Sequence, residues 1–339
     1  MSFFAVLFAL LIEQFKPLPR GNVVHDSLTG WMRWTGRNFD AGRDRHAWVV
    51  WCITALVPAL VAWGVYAAIA HFSLLLALFW NVAVLYLTLG FRQFSHYFTD
   101  IRDALDRGDE AEARRLLSEW RHLDASELPR TELLRHVIEH SLLAAHRHVF
   151  GVFFWFVLMS SFGFGPAGAV LYRMSEFVAR YWSYQGKTAG EGASAALRRV
   201  ATRAWGVIDF VPSRATSLGF AVVGSFEDAI DAWRSYSQRF PPEAALATPG
   251  RNDGLILAAT SGAVNVRLGG ESLRPVRVTD ALQEAQAGGP YARDLAIAAP
   301  ATGREPEVAH LRSVVGLVWR SVVLWMVLIA LLTLARLLG

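Results

Sequence analysis

The stretch HVIEH at positions 136–140 contains residue types that could form a catalytic metal centre. On a helix, His136 and His140 lie four residues apart and share one face, as the zinc ligands of the inverted H-x-x-E-H pattern do. Glu139 would then act as general base, and Glu176 is the nearest downstream acid for a third ligand. Because the pattern is short and the chain has 10 histidines, a polar helix at the membrane interface is the simpler interpretation.

A second kind of chemistry is indicated by TSGAVNVRLGG at positions 260–270. Its glycines, Gly262, Gly269 and Gly270, allow a ligand to approach the backbone closely, and Arg267 can meet an anion. Arg214 follows a proline at a predicted helix break and is a further candidate for holding phosphate, although an ordinary turn is the simpler interpretation. No part of the chain matches the phosphate loop G-x-x-x-x-G-K-[ST].

The composition indicates the environment of these residues. Hydrophobic residues make up 53% of the 339-residue chain and charged residues 18%, below the roughly 25% of soluble domains. Together with a mean hydropathy of +0.30, this predicts a protein in contact with a lipid bilayer. No basic stripe alternates with exposed aromatic residues, which argues against nucleic-acid binding. Cys52 is the single cysteine, which excludes an intramolecular disulfide and a cysteine-based zinc site.

Several apolar segments could position the candidate residues within the bilayer. We predict membrane helices over residues 47–70, 72–89 and 314–335, and a further helix over 149–172 that Gly-Phe-Gly-Pro-Ala-Gly interrupts. The apolar N-terminus is too short to span and is predicted to pack on its neighbours. The fold class is therefore all-α, a polytopic helical membrane protein with about four to five membrane segments. Its aromatic membrane faces are compatible with a homodimer.

The polar remainder of the chain is also predicted to be mostly helical. Gly108 is predicted to end one helix, and Asp109, with Glu112 three residues later, is predicted to cap the start of the next. The two helices would form a hairpin. Basic loops stay in the cytoplasm, so we predict a bacterial inner-membrane location with cytoplasmic polar regions, although the side of 173–312 stays open. The predicted regions are membrane segments with a basic loop (1–90), a cytoplasmic hairpin (91–148), a broken helix (149–172), a polar ligand-binding domain (173–312) and a final transmembrane helix (313–339).

Five fragments in order carry a resemblance to a known family. They are RDALDRGDEAEARRLLSEW, IEHSLL followed by FGVFFW, GPAGAVLYRMSEFVARYW, DFVPSR and NDGLILAATSGAVNVRLGG. In this order and spacing they resemble the CobD/CbiB membrane proteins of cobalamin biosynthesis, the adenosylcobinamide-phosphate synthases. The resemblance implies an ATP-dependent amide synthesis that joins an amino-alcohol phosphate to a corrinoid carboxylate, with magnesium on the phosphates. Its implied ligand-binding residues are Tyr172, Arg173, Arg214, Asn252, Gly262, Arg267, Gly269 and Gly270.

The chain departs from this family mainly at acidic positions. Glu139 keeps the family's glutamate, whereas Arg147 stands where the enzymes carry an aspartate, and Glu176 stands where they carry an asparagine. Other family acids or amides are replaced at Ala144, Ala179, Trp205, Gly206 and Leu257. An arginine in place of an acid would repel magnesium. This pattern resembles the divergent AmpE branch, inner-membrane proteins linked to β-lactamase induction, while the glycine stretch resembles the cobalamin enzymes more closely.

Three functional hypotheses follow. The first is a non-catalytic family member that binds a phosphate-bearing small molecule and acts in AmpE-like signalling, with Arg173, Arg214 and Arg267 as the positive pocket. The second is an active cobalamin-biosynthesis synthase that uses Mg/ATP and a corrinoid, with Glu139, Glu176 and Asp209 as catalytic acids. The third is a zinc-dependent membrane hydrolase built on the two histidines of HVIEH.

Overall fold

The chain folds into an assembly of α-helices. The computed structural model describes residues 2–15, 23–121, 125–188, 193–238, 250–269 and 303–338. Within these residues the only β-contact is an isolated bridge between Val266 and Arg304, which confirms the predicted all-α class.

The helices are numbered here in chain order. The first seven are α1 (Ser2–Phe15), α2 (Val23–Phe39), α3 (Asp44–Phe72), α4 (Leu74–Thr88), α5 (Phe91–Asp106), α6 (Glu110–Arg121) and α7 (Arg130–Ala145). A π-helix (His146–Phe150) follows without a break. The others are α8 (Gly151–Ser161), α9 (Ala167–Thr188), α10 (Ala195–Ile208), α11 (Phe210–Val223), α12 (Phe226–Ser237), α13 (Arg251–Val264) and α14 (Val308–Leu338).

Three continuous helical segments in the described part are long and apolar enough to cross a membrane. They are Asp44–Phe72, Arg130–Ser161 and Val308–Arg336, and α10 with α11 would add a fourth if this pair, bent by 45°, is one span. The second segment corrects the prediction for 149–172, because the apolar helix starts much earlier and ends before Gly163. Gly163 and Gly165 have positive φ angles of 82° and 53°, so the chain turns there and α9 begins as a separate helix.

The predicted span over 72–89 is shorter than expected. Ser73 ends α3 in an extended conformation, and its hydroxyl accepts a hydrogen bond from Leu76 N at 3.4 Å to start α4. With 15 residues, α4 is shorter than the ~20 residues needed to cross a bilayer. Its buried face packs against α1, where Ala5, Val6 and Ala9 are fully buried.

A proline in α3 and another in α11 each free one backbone carbonyl, and a tryptophan indole pairs with each freed oxygen. Pro212 has no N–H for the carbonyl of Ile208, four residues earlier, and the Trp155 indole donates to that oxygen instead at 3.1 Å. In α3, Pro58 likewise frees the carbonyl of residue 54, which accepts from the Trp31 indole at 3.2 Å. The α10–α11 bend therefore has a sequence cause and a specific hydrogen bond that satisfies it.

Outside the apolar helices, α5 and α6 pack as an antiparallel pair. Gly108 turns the chain with a φ of 78°, and Asp109 Oδ1 accepts a hydrogen bond from Glu112 N at 3.0 Å. The helix start predicted at Asp109 is thus present.

Candidate functional site

A buried hydrogen-bond network joins His146, Tyr172, Asp209 and Thr216. His146 Nε2 lies 2.8 Å from Asp209 Oδ1, and the Tyr172 hydroxyl donates to the same oxygen at 2.9 Å. His146 Nδ1 lies 2.9 Å from the Thr216 hydroxyl. All four side chains are at most 1% exposed. Such a network in the interior of a membrane protein is a candidate functional site, because ionisable groups are costly to keep there.

The acceptor chemistry of Asp209 assigns the protons in this network. A carboxylate accepts hydrogen bonds, so His146 donates from Nε2 to Asp209, while Nδ1 is paired with the Thr216 hydroxyl. Both ring nitrogens of His146 are therefore used within the protein. The second oxygen of Asp209, Oδ2, has no hydrogen-bond partner in the described part of the chain.

The π-helix and a glycine bring this network together. His146 is the first residue of the π-helix, a local widening that often occurs at functional sites. Gly151 follows it directly, and a Cβ atom there would collide with the ring and hydroxyl of Tyr172. Asp209 lies at the break between α10 and α11, where the bend turns its side chain into the helix assembly.

An ion pair lies beside the network. Arg147 Nη2 donates to Asp253 Oδ2 at 2.6 Å, which links the π-helix to the start of α13. Burial raises the pKa of the Asp253 carboxyl, with Asp209 adding to the shift and Arg147 opposing it. Asp253 was not among the predicted site residues, although it lies beside Asn252 at the start of the fragment NDGLILAATSGAVNVRLGG.

Arg214 and Asn252, both predicted ligand-binding residues, contact each other. Arg214 Nη1 donates to Asn252 Oδ1 at 3.2 Å and to the Phe210 carbonyl at 2.6 Å. Its guanidinium carbon lies 3.4 Å from the centre of the Phe210 ring. Asn252 in turn donates to the carbonyl of Gly206 at 3.1 Å. The guanidinium is thus fixed in place and half-buried, as a site for an anion requires.

The predicted residues Arg173 and Glu176 form an ion pair on α9. Arg173 Nη1 lies 3.1 Å from Glu176 Oε2, and Arg180 Nη1 lies 3.6 Å from the other oxygen. Burial opposes ionisation of Glu176, but Arg180, Arg173 and Arg147 outweigh it, so the pKa of this carboxyl lies below its ordinary value. Arg173 is therefore engaged by a carboxylate and does not present a free cation.

The glycine stretch is placed differently from the predicted phosphate cradle. Gly269 N donates to Glu139 Oε1 at 2.6 Å, and Arg267 has an exposed side chain while its backbone N bonds the Arg304 carbonyl at 2.7 Å. Gly262 faces α12, where a Cβ atom would collide with the backbone at Asp228. Gly262 therefore serves close helix packing, and Gly270 lies outside the described residues.

The histidines of HVIEH have protein partners. Arg121 Nη1 lies 2.8 Å from His136 Nδ1, and arginine only donates, so this ring nitrogen is an acceptor. The His140 ring packs against the edge of Trp120, with centroids 4.4 Å apart. Among the described residues no three His, Cys, Asp or Glu side chains form a group that could hold a metal ion. The third ligand needed for the zinc hypothesis is therefore not supplied by Glu176 or another described acid.

Comparison with known proteins identifies the family. The model of the CobD/CbiB protein family matches residues 2–298. The chain belongs to the CobD/CbiB family. Within this family it is similar to a cobalamin biosynthesis protein CobD of Stutzerimonas stutzeri (strain A1501), with 28% identity over 301 residues that cover 86% of this chain and 84% of the relative.

A second CobD/CbiB relative matches a shorter part of the chain. It is a cobalamin biosynthesis protein CobD of Chromobacterium violaceum, 31% identical over 189 residues, or 56% of this chain and 55% of the relative. No solved structure shows a significant match. Both relatives are named for cobalamin biosynthesis, so the predicted AmpE-like assignment gains no support from them.

Proposed function

We propose that the chain acts in cobalamin biosynthesis as a membrane enzyme that joins an amine to a corrinoid carboxylate in an amide bond. The observation that carries this proposal is the similarity to a CobD protein over 86% of the chain. It favours the enzymatic hypothesis over AmpE-like signalling, which rested on the missing acids.

The geometry of the candidate site supports the same proposal. Tyr172, Arg214 and Asn252 lie in three different helices and Asp209 at the break between α10 and α11, yet direct hydrogen bonds link Tyr172 to Asp209 and Arg214 to Asn252. Arg214 also donates to the carbonyl of Phe210, the residue next to Asp209. A carboxylate next to a fixed guanidinium can receive both an amine and a phosphate. In this proposal Asp209 supplies one of the carboxylates that the chain lacks at the family positions. Asp253 neutralises the charge of Arg147 through their ion pair.

The proposed reaction implies ATP, magnesium and a corrinoid as ligands. Because the described residues contain no three-acid metal group, a magnesium ion would be held mainly by the phosphates of the nucleotide, as is usual for this ion. We assign no step to it. The protein's own contribution is to bind and orient the two substrates.

The test is complementation of a bacterial strain that lacks its own adenosylcobinamide-phosphate synthase. We expect the chain to restore growth in medium where growth requires cobalamin synthesis, whereas an empty vector does not. The strain's own gene serves as the positive control, and an immunoblot of membranes establishes equal expression. Absent growth at equal membrane abundance would show that the chain lacks this activity.

A second candidate function is ligand binding without catalysis. Arg147 favours it, because this residue forms an ion pair with Asp253 at a position where the family resemblance implies an acid. In that case, purified protein would bind inorganic phosphate, Arg214→Gln would weaken the binding, and complementation would fail.

A further inference from the structure

Exposed arginines lie together where α3 and α10 begin. Arg43 precedes α3, Arg45 lies in its first turn, and Arg199 and Arg203 lie one turn apart on α10. All four residues are exposed. The ion pair between Arg199 Nη2 and Asp44 Oδ1, 3.0 Å apart, brings the start of α3 next to α10. The four arginines are termed the arginine surface.

Two contacts show that α3 and α10 run side by side in the same direction. Asp40, just before α3, accepts hydrogen bonds from the backbone N and the hydroxyl of Ser194, at 2.8 Å and 2.9 Å, and Ser194 caps the start of α10. About one turn further along each helix, Asp44 contacts Arg199. Because the contacts follow the same order on both helices, their next turns also lie at matching levels.

The exposed face changes from charged to apolar along both helices. In the turn after Arg45, α3 presents Trp48 and Val49, which are 38% and 57% exposed. In the turn after Arg203, α10 presents Val207, which is 49% exposed. An exposed indole between arginines and apolar side chains is typical of the membrane interface, where tryptophan lies at the level of the lipid headgroups.

The length of α3 places its charged end at the same level. With 29 residues, the helix is ~43 Å long at ~1.5 Å per residue, whereas the hydrocarbon core of a bilayer is ~30 Å thick. The helix therefore extends beyond the core, and its arginine-bearing end is the one suited to the headgroup region.

The charge of this end of the molecule is positive. Residues 40–48 and 193–204, which contain the arginine surface, include five arginines and two carboxylates. One of these carboxylates, Asp44, is paired with Arg199, and the other, Asp40, accepts hydrogen bonds from Ser194. Anionic headgroups are therefore complementary in charge to this surface, and each basic residue near them adds to the attraction.

We propose that the arginine surface binds the headgroup phosphate of an anionic phospholipid, whose acyl chains lie along the apolar turns of α3 and α10. A phospholipid supplies a phosphate for the guanidinium groups and hydrocarbon for Trp48, Val49 and Val207, whereas a soluble anion supplies only the phosphate. The inference does not depend on the proposed function, because the arginine surface lies outside the candidate site.

Thermal unfolding of the purified full-length protein in a neutral detergent tests the inference. The micelles are doped with phosphatidylglycerol, which is anionic, or with phosphatidylcholine, which has the same acyl chains and no net charge. We expect phosphatidylglycerol to raise the unfolding temperature of the wild type and phosphatidylcholine to leave it near the value in detergent alone. Soluble glycerol 3-phosphate should not reproduce the shift, because it has no acyl chains.

A double variant locates the binding. Arg45→Gln/Arg203→Gln removes two charges of the arginine surface and keeps the ion pair of Arg199. Its affinity for phosphatidylglycerol, measured by titrating the lipid, should fall about fivefold for each charge and roughly twenty-fivefold in all. The matched control, Arg107→Gln/Arg130→Gln, removes two exposed arginines at the end of α5 and the start of α7 and should bind as the wild type does.

Charge-conserving and single variants complete the test. Arg45→Lys/Arg203→Lys keeps both charges and should retain most of the affinity. If Arg45→Gln/Arg203→Gln does not fold, Arg203→Gln alone, with an expected fivefold loss, gives the measurement.

Three outcomes would overturn the inference. An equal loss of affinity in Arg45→Gln/Arg203→Gln and in Arg107→Gln/Arg130→Gln would mean that the lipid responds only to the overall charge of the protein. Unchanged affinity in both the double variant and Arg203→Gln would exclude the arginine surface. A wild-type shift that phosphatidylcholine or glycerol 3-phosphate reproduces would exclude an anionic lipid as the ligand. Failed complementation, by contrast, rejects the synthase activity and leaves this lipid site unaffected.

Discussion

Glu176 shows how single charged residues are kept ionised inside this protein. Its side chain is 3% exposed and lies between Arg173 and Arg180. Burial alone would favour the neutral acid, but the guanidinium groups favour the carboxylate and lower its pKa. The residue therefore contributes to the structure of α9 by pairing with Arg180 and with Arg173, which the sequence suggested as a ligand contact.

This lowered pKa predicts a pH-dependent stability. A carboxyl group with a depressed pKa in the folded protein stabilises it above the ordinary pKa of 4.5, and this stabilisation disappears as the pH falls through the folded-state value. We expect Glu176→Gln to lower the unfolding temperature at pH 7 and to differ less from the wild type at pH 4.

Thermal unfolding at several pH values measures this difference. The exposed Glu305 provides the control, since Glu305→Gln should match the wild type throughout. If the difference in unfolding temperature between Glu176→Gln and the wild type stays constant down to pH 4, the assigned role of Glu176 is wrong.

Several site residues could be recognised from the sequence, but their partners could not. Tyr172, Asp209, Arg214 and Asn252 were selected from fragments that resemble a family. His146 and Asp253 were not among the predicted site residues, although Asp253 lies in the fragment NDGLILAATSGAVNVRLGG beside the predicted Asn252. Arg147 and Asp253 are separated by 106 positions, and only helix packing brings them into contact.

At the scale of helices, Pro58 in α3 and Pro212 in α11 interrupt the regular backbone hydrogen bonding. Each proline leaves one carbonyl without its usual partner, and a tryptophan indole from another helix donates to it. The bend at Pro212 is the one that concerns the site, because Asp209 lies beside it.

A double-mutant cycle can test this compensation. Trp155→Phe removes the donor to the Ile208 carbonyl and is expected to cost about 1–3 kcal/mol of stability. In the Pro212→Ala background the new Ala N–H can bond that carbonyl, so the same change should cost about 1 kcal/mol less. Chemical denaturation in detergent provides the free energies.

Pro58→Ala is the matched control, because its freed carbonyl at residue 54 is paired with Trp31 and not with Trp155. Trp155→Phe should therefore cost the same with and without Pro58→Ala. An equal cost of Trp155→Phe in the wild-type and Pro212→Ala backgrounds would mean that the indole hydrogen bond does not compensate the bend.

At the scale of the whole molecule, the orientation in the bilayer follows from the ends of α3. Arg43 precedes this helix and Arg45 lies in its first turn, whereas its other end turns at Ser73 into α4. Because basic loops stay in the cytoplasm, we expect the beginning of α3 inside and the turn at Ser73 outside.

Cysteine labelling tests this orientation, since Cys52 is the single native cysteine and Cys52→Ser removes the background. We expect a membrane-impermeant maleimide to label His71→Cys in intact spheroplasts and Ala41→Cys only after permeabilisation. Both positions are exposed, so the reverse pattern would place the polar start of α3 outside.

The sequence by itself determined the class of the protein. A bilayer leaves no water to satisfy backbone groups, so long apolar segments in this composition are expected to form helices. The boundaries of these helices were less predictable. The segment Arg130–Ser161, for example, is formed by α7, the π-helix and α8 together, and its first part contains polar residues. Only the tertiary structure decided which polar groups meet, because pairing of His146 with Asp209, 63 positions away, depends on packing between helices and not on local sequence.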